Sequence, residues 1–259
     1  MKKNIYYSEV VIRKNLVKSN LLNWLFALSS LLRVPVEVFL RKNFGERYFS
    51  RLLVSLFAVA FLVVPYVLSR RFGQTDWDFL FENFSTWYIY TFAFIFFSYK
   101  RYQEVKRNPS VFDFSRFSQY EGDINKTFLS WQKEGRANIR TIEIYYESGA
   151  VFLAGLILFI CKQPIALVLL VCSVMYWLSY SIAYLIGDHF IMDKIDQMIM
   201  NEEMEEVFVN DKPSDSARGV RFTMKKPDNP VFRQKLMDSF IIDDKDDDED
   251  DDGGAVVAS

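Results

Sequence analysis

Four stretches of the chain carry apolar residues too densely for a soluble surface. The first, 52–69 (LLVSLFAVAFLVVPYVLS), is uncharged between Arg51 and Arg70. The second, about 81–99 (FENFSTWYIYTFAFIFFSY), is uncharged from Phe84 onward and rich in aromatic side chains, with Trp87, Tyr88 and Tyr90 toward one end as in an interfacial belt. The fourth, 164–187, has 24 residues without a charge. Between them lies YYESGAVFLAGLILFICKQP (145–164), whose apolar run after Glu147 is only thirteen residues long. A crossing helix needs about 20 residues, so this third stretch spans only if it extends back to about Ile142.

The distribution of Lys and Arg requires that it does. From the N-terminus, the segments 1–51, 70–80, 100–141, the 161–164 turn and the region after 187 carry 10, 2, 9, 1 and 9 positive residues. Cytoplasmic loops are enriched in Lys and Arg, so this alternation implies four crossings with both termini inside. Without the third crossing, two basic segments would fall on opposite faces. The predicted fold is therefore an all-α integral membrane protein with four transmembrane helices at about 52–69, 81–99, 142–161 and 164–187. An N-terminal basic region (1–51) precedes them, and a cytoplasmic loop covers 100–141. A cytoplasmic amphipathic helix is expected over 188–209, where Ile191, Ile195, Met198 and Ile199 recur at helical spacing. Residues 210–259 read as a disordered linker and acidic tail.

Residues Leu21–Leu32 are apolar, but Arg33, Glu37, Arg41 and Lys42 follow closely. That composition favours an interfacial amphipathic helix over a crossing, with a re-entrant hairpin as the other arrangement. No small-x-small cleavage site follows the stretch, so it is expected to remain in the mature protein.

The third span brings carboxylates into the membrane. At 1.5 Å per residue Glu147 lies about 21 Å below the outer turn, in the inner third of a hydrocarbon layer about 30 Å thick. The facing part of the fourth span carries Tyr176, Tyr180 and Tyr184 at i, i+4, i+8, and beside them Ser179, Ala183 and Gly187 at the same spacing. The first stripe offers hydroxyl donors. The second, with Ala150 and Ala154 on the third span, would let two backbones approach closely. Three readings of Glu143 and Glu147 stand: interfacial carboxylates with Glu143 paired to Arg140, a structural hydrogen-bond network with Tyr or Ser hydroxyls, and proton or ion handling.

The net charge of −2 hides a polarised chain, for residues 243–252 alone hold nine acids and one Lys. Polyacid repels nucleic acid, so none is expected to bind, while a basic partner surface could dock there. Two cysteines and a single histidine exclude a disulfide framework and a multi-histidine centre. His189, Asp193 and Asp196 share a helix face, but without further ligands they read as a solvated face. No cofactor, metal or catalytic motif is expected. The composition points to a scaffold or accessory subunit of a larger membrane assembly, meeting anionic lipids, other membrane subunits or a second copy. A transporter or channel component built on Glu143 and Glu147 is the alternative, and an intramembrane lipid-modifying enzyme the second. The basic inner loops suit a bacterial inner membrane, with a eukaryotic endomembrane open.

Overall fold

The computed structural model describes residues 2–12, 15–71, 77–105, 117–131, 138–213 and 216–243. In chain order the helices are α1 (Leu16–Leu40), α2 (Arg51–Arg71), α3 (Trp77–Val105), α4 (Lys126–Trp131), α5 (Ile139–Thr141), α6 (Glu147–Ile160), α7 (Ile165–Phe208) and α8 (Pro230–Phe240). A π-helical turn, Ile142–Tyr146, joins α5 to α6 in one segment of 22 residues. Strands β1 (Lys2–Asn4) and β2 (Ile241–Asp243) pair antiparallel. The chain forms two compact units: Ser19–Tyr184, and Met1–Lys18 with Leu185–Ser259.

The chain is a multi-pass integral membrane protein. Among the described residues, four helices are long and apolar enough to cross a membrane: Leu16–Leu40, Arg51–Arg71, Ile139–Ile160 and Ile165–Phe208. Three overlap expected spans. The remaining expected span, 81–99, lies within α3 and is not in this set, whereas α1, expected at the interface, is. The exchange has a compositional cause. The uncharged centre of α3 is itself only moderately apolar, since Asn83, Ser85, Thr86, Tyr88, Tyr90, Thr91, Ser98 and Tyr99 interleave with its Phe and Ile residues, and Phe84 interrupts its helical backbone. Packing nevertheless runs α3 along α2 in the opposite direction. The Arg51 guanidinium lies over the Tyr102 ring at 4.4 Å, and farther along Trp87 Nε1 donates to Phe61 O at 2.8 Å.

Polarity in the Ser19–Tyr184 unit is inverted relative to a soluble domain. Leu56, Val59, Ile89, Phe92, Leu153 and Val171 are exposed, while Arg33, Glu37, Thr91, Arg101, Glu147 and Ser179 are buried. Lipid accepts the apolar exterior, and the polar groups must find partners inside. An aromatic cluster fills the interior, with Phe61 edge-on to Trp87, Tyr90 and Phe94. Close approach of α6 and α7 occurs at Gly155, where a Cβ would meet Leu170 at 3.2 Å. This differs from the expected small-residue contact, since Gly187 faces open space and Ala150 and Ala154 line a groove with Val36 and Leu40.

Two irregular segments, 41–49 and 117–123, run side by side. Gly45 N donates to Tyr120 O at 2.8 Å, Arg47 N to Ser118 O at 2.8 Å, and Asp123 N to Lys42 O at 2.7 Å. Gly45 is required by space, because a Cβ would fall 2.3 Å from Ser118 O. Gly122 adopts φ +91°, which only glycine takes without strain.

In the other unit, Met200, Met204, Val207 and Phe208 of α7 form a core with Tyr6, Tyr7 and Met237. Burial and the Asp193 and Asp196 carboxylates push the Tyr7 phenol up to about 12. Ile191, Ile195 and Met198, the expected apolar face, are exposed. The buried face starts a turn later because α8 and the N-terminal segment pack there. Lys226 Nζ donates to Val207 O at 2.9 Å and Arg233 Nη1 to Phe208 O at 3.1 Å, so two cations cap the last carbonyls of α7. Asp211 bridges both cations, which hold its carboxyl below the usual range. Residues 216–243, expected as disordered linker, thus hold a helix, a strand and cap contacts. Apart from Asp243 at its start, the acidic run lies outside the described residues.

Gly45→Ala is expected to lower the thermal midpoint in detergent by the equivalent of about 1–3 kcal/mol, the usual cost of overpacking. Gly149→Ala, where a Cβ meets nothing within 4 Å, is expected to leave it unchanged. Thermal unfolding followed by size-exclusion chromatography checks both.

Candidate functional site

The buried polar groups of the Ser19–Tyr184 unit converge on one cluster. The sequence supplies it as three stripes of period four. Arg33 and Glu37 on α1 continue into Arg41 just past its end, Glu143 and Glu147 lie along α5–α6, and Tyr176, Tyr180 and Tyr184 lie on α7. On a helix such spacing brings side chains to one face.

Arg41 is the centre. It is 1% exposed; its Nε and Nη2 donate to Glu147 Oε2 at 3.1 and 2.5 Å, and Nη2 also reaches Glu143 Oε1 at 3.0 Å. Tyr176 Oη donates to the same Glu147 oxygen at 2.5 Å, and Tyr184 Oη to Glu143 Oε2 at 2.5 Å. Glu147 is wholly buried, and its Oε1 has no partner among the described residues. The carboxylate therefore does not reach headgroups, and Glu143 turns to Arg41 and Tyr184. Arg140 stacks its guanidinium on the Tyr184 ring at 5.0 Å.

A second group centres on Arg33, which donates to Ser179 Oγ at 3.0 Å and Tyr48 Oη at 2.5 Å, and lies 3.6 Å from Glu37 Oε2. Tyr48 and Tyr180 both donate to Glu37 Oε1, at 2.6 and 3.2 Å. Burial, reinforced by the Glu37 carboxylate and opposed by Arg33, holds the Tyr48 phenol well above its usual range, so it stays a neutral donor. Half-exposed Glu121 stands 3.5 Å from Arg33 and 3.9 Å from Arg41. The Gly45–Tyr120 and Arg47–Ser118 pairing brings it there.

The two halves meet at Tyr180, whose ring receives Arg33 at 4.7 Å and Arg41 at 4.6 Å. These arginines are about 12 Å apart along a helix axis. Both reach one residue of α7, so the C-terminal half of α1 meets α7 at Tyr180. Val36 and Leu40, beside the 33/37/41 stripe on the helix, pack in the apolar cluster with Val151, Leu169 and Tyr176.

Of the residues singled out from sequence, Glu143, Glu147, Tyr176, Ser179, Tyr180 and Tyr184 all lie in the cluster. Ala150, Ala154 and Gly187 do not. Sequence reasoning did not assign Arg33, Glu37, Arg41, Tyr48 or Glu121 to it, although the 33/37/41 spacing repeats the 176/180/184 spacing. Among the described residues no three His, Cys, Asp or Glu side chains converge as metal ligands. Compared with protein-family models, curated proteins and solved structures, the chain matches none.

Chemically, the cluster is an ion-pair clamp. Removing one partner of such a pair costs about 3–5 kcal/mol because the other charge stays buried, whereas replacing both by apolar groups is often neutral. Arg41→Met is therefore expected to lower stability by about that amount, and Arg41→Met with Glu147→Met to restore most of it. A double-mutant cycle on thermal unfolding in detergent measures this; additive losses would mean the two groups do not interact.

Proposed function

We propose that the protein is a polytopic scaffold or accessory subunit of a larger membrane assembly, with both termini in the cytoplasm and the parts outside the membrane docking partners. The observation that carries the reading is that the interior charges satisfy one another. Arg41 and two phenols occupy three of the four oxygens of Glu143 and Glu147. An ion pathway needs carboxylates free to bind and release cargo, and a guanidinium locked onto them opposes that. The cluster instead rigidifies a frame.

Two further observations support docking. Beyond Tyr184, α7 exposes Phe190, Ile191, Met192, Ile195 and Met198, an apolar concentration of the kind partners cover. The acidic run after Ile242 adds a strongly negative segment for a basic surface. The inside-positive alternation supports the orientation, and the α2–α3 antiparallel packing supports α3 crossing with α2. In this reading α1 lies across the bundle at the inner face.

Purification of the full chain in mild detergent is expected to retain a stoichiometric membrane partner or a self-associated form, and crosslinks from residues 188–252 are expected to identify it. A stable lone monomer without crosslinks would contradict the reading. In sealed cells exposed Cys161 is expected to react with an impermeant maleimide from outside; reaction only after permeabilisation would reverse the orientation.

A further inference from the structure

Hydroxyls inside a membrane bundle ordinarily donate to a carbonyl one turn back, because hydrocarbon offers no other acceptor. This chain follows that rule at Ser29 (to Phe26 O), Ser69 (to Tyr66 O), Thr91 (to Trp87 O), Ser148 (to Ile144 O) and Ser173 (to Leu170 O). Ser98 on α3 departs from it. Its side chain is 5% exposed, and its Oγ has no hydrogen-bond partner among the described residues. A buried hydroxyl left unpaired is costly, so the position calls for an acceptor beyond the described residues.

Ser98 lines a cavity of about 280 Å³ between α2 and α3. The cavity has a chemical gradient along its length. At one end Arg51, the first residue of α2, lies over Tyr102. Val54, Ala58 and Ile95 line it farther in. Arg51 and Ala58 are seven residues apart, about 10 Å along the helix. Ser98 falls between the charged and the apolar ends. Arg51 also stands at the positive end of a long helix, which adds to its attraction for an anion.

We infer that this cavity is a binding site for a glycerophospholipid with an anionic headgroup. The phosphate sits at Arg51, an ester carbonyl accepts the Ser98 hydroxyl, and an acyl chain runs along Val54, Ala58 and Ile95. A phospholipid presents these three groups in this order over this length. A free anion would satisfy Arg51 alone, and a hydrocarbon tail would leave Ser98 unpaired. The site stands independently of any scaffold role and of the orientation of the chain, because it needs only a membrane around α2 and α3.

Native mass spectrometry and thermal unfolding of the full-length protein in neutral detergent test it, with dioleoyl phosphatidylglycerol and dioleoyl phosphatidylcholine as probes. The wild type is expected to retain phosphatidylglycerol preferentially and to be stabilised by it. Ser98→Ala should weaken that binding about fivefold, the weight of one hydrogen bond, while the lipid-free midpoint stays level or rises. Arg51→Gln should remove the preference between the two lipids. Lipid retention and selectivity identical to wild type in both variants would overturn the site. So would failure of the wild type to retain either lipid, or displacement of phosphatidylglycerol by millimolar inorganic phosphate, which would make it a free-anion site. Should Ser98→Ala not fold, Arg51→Gln, at an exposed position, decides alone.

Discussion

The contact between the Arg41 guanidinium and the Glu147 carboxylate determines how the helices of the membrane unit meet. Neither charge can sit in that interior alone, since each would carry a desolvation penalty of several kcal/mol. Arg41 is tied to the end of α1 and Glu147 to the start of α6, with Tyr176 of α7 on the same oxygen. Three elements distant in sequence are thereby fixed at one point. The second guanidinium, Arg33, repeats the arrangement through Glu37, Tyr48 and Ser179. Tyr180 lies between the two and couples them. Ion pairs of this kind contribute less net stability than well-packed apolar side chains, but they demand one geometry. The meeting of α1 with α7 at Tyr180 follows from that demand.

The same constraint explains why an apparently amphipathic segment is buried. Composition presents α1 as both apolar enough to cross and too charged to do so comfortably. Its Arg33 and Glu37, with Arg41 following, meet the tyrosine stripe, and Val36 and Leu40 beside them pack on the apolar cluster that the same tyrosines belong to. The segment 117–123, held against 41–49 at Gly45, closes the polar side with Glu121.

Much of this could be read in the sequence, and the parts that could not are instructive. Period-four stripes at Glu143/Glu147 and Tyr176/Tyr180/Tyr184 are local and visible. The stripe at Arg33/Glu37/Arg41 is equally visible, but charge counting treats it as an argument about topology rather than as the partner of the tyrosines. Pairing across 106 residues, as between Arg41 and Glu147, leaves no local trace. Hydropathy alone also ranks α1 above α3, because the Tyr, Trp, Ser and Thr residues of the uncharged centre of α3 score low on a hydropathy scale although they suit an aromatic-rich span. In the other unit the buried face, Met200, Met204, Val207 and Phe208, has clear helical spacing. It escapes notice because the apolar residues just before it make an equally good stripe, and only the docking of α8 and the N-terminal segment selects between them.

The central claim is that Glu147 is a carboxylate held by Arg41, and not a neutral acid awaiting a proton. Infrared difference spectroscopy between the wild type and Glu147→Gln at neutral pH tests it most directly. The account predicts that the substitution removes a carboxylate stretch and leaves the protonated-carboxyl region unchanged. Loss of a protonated-carboxyl band instead would contradict it, and would return Glu147 to proton-handling chemistry.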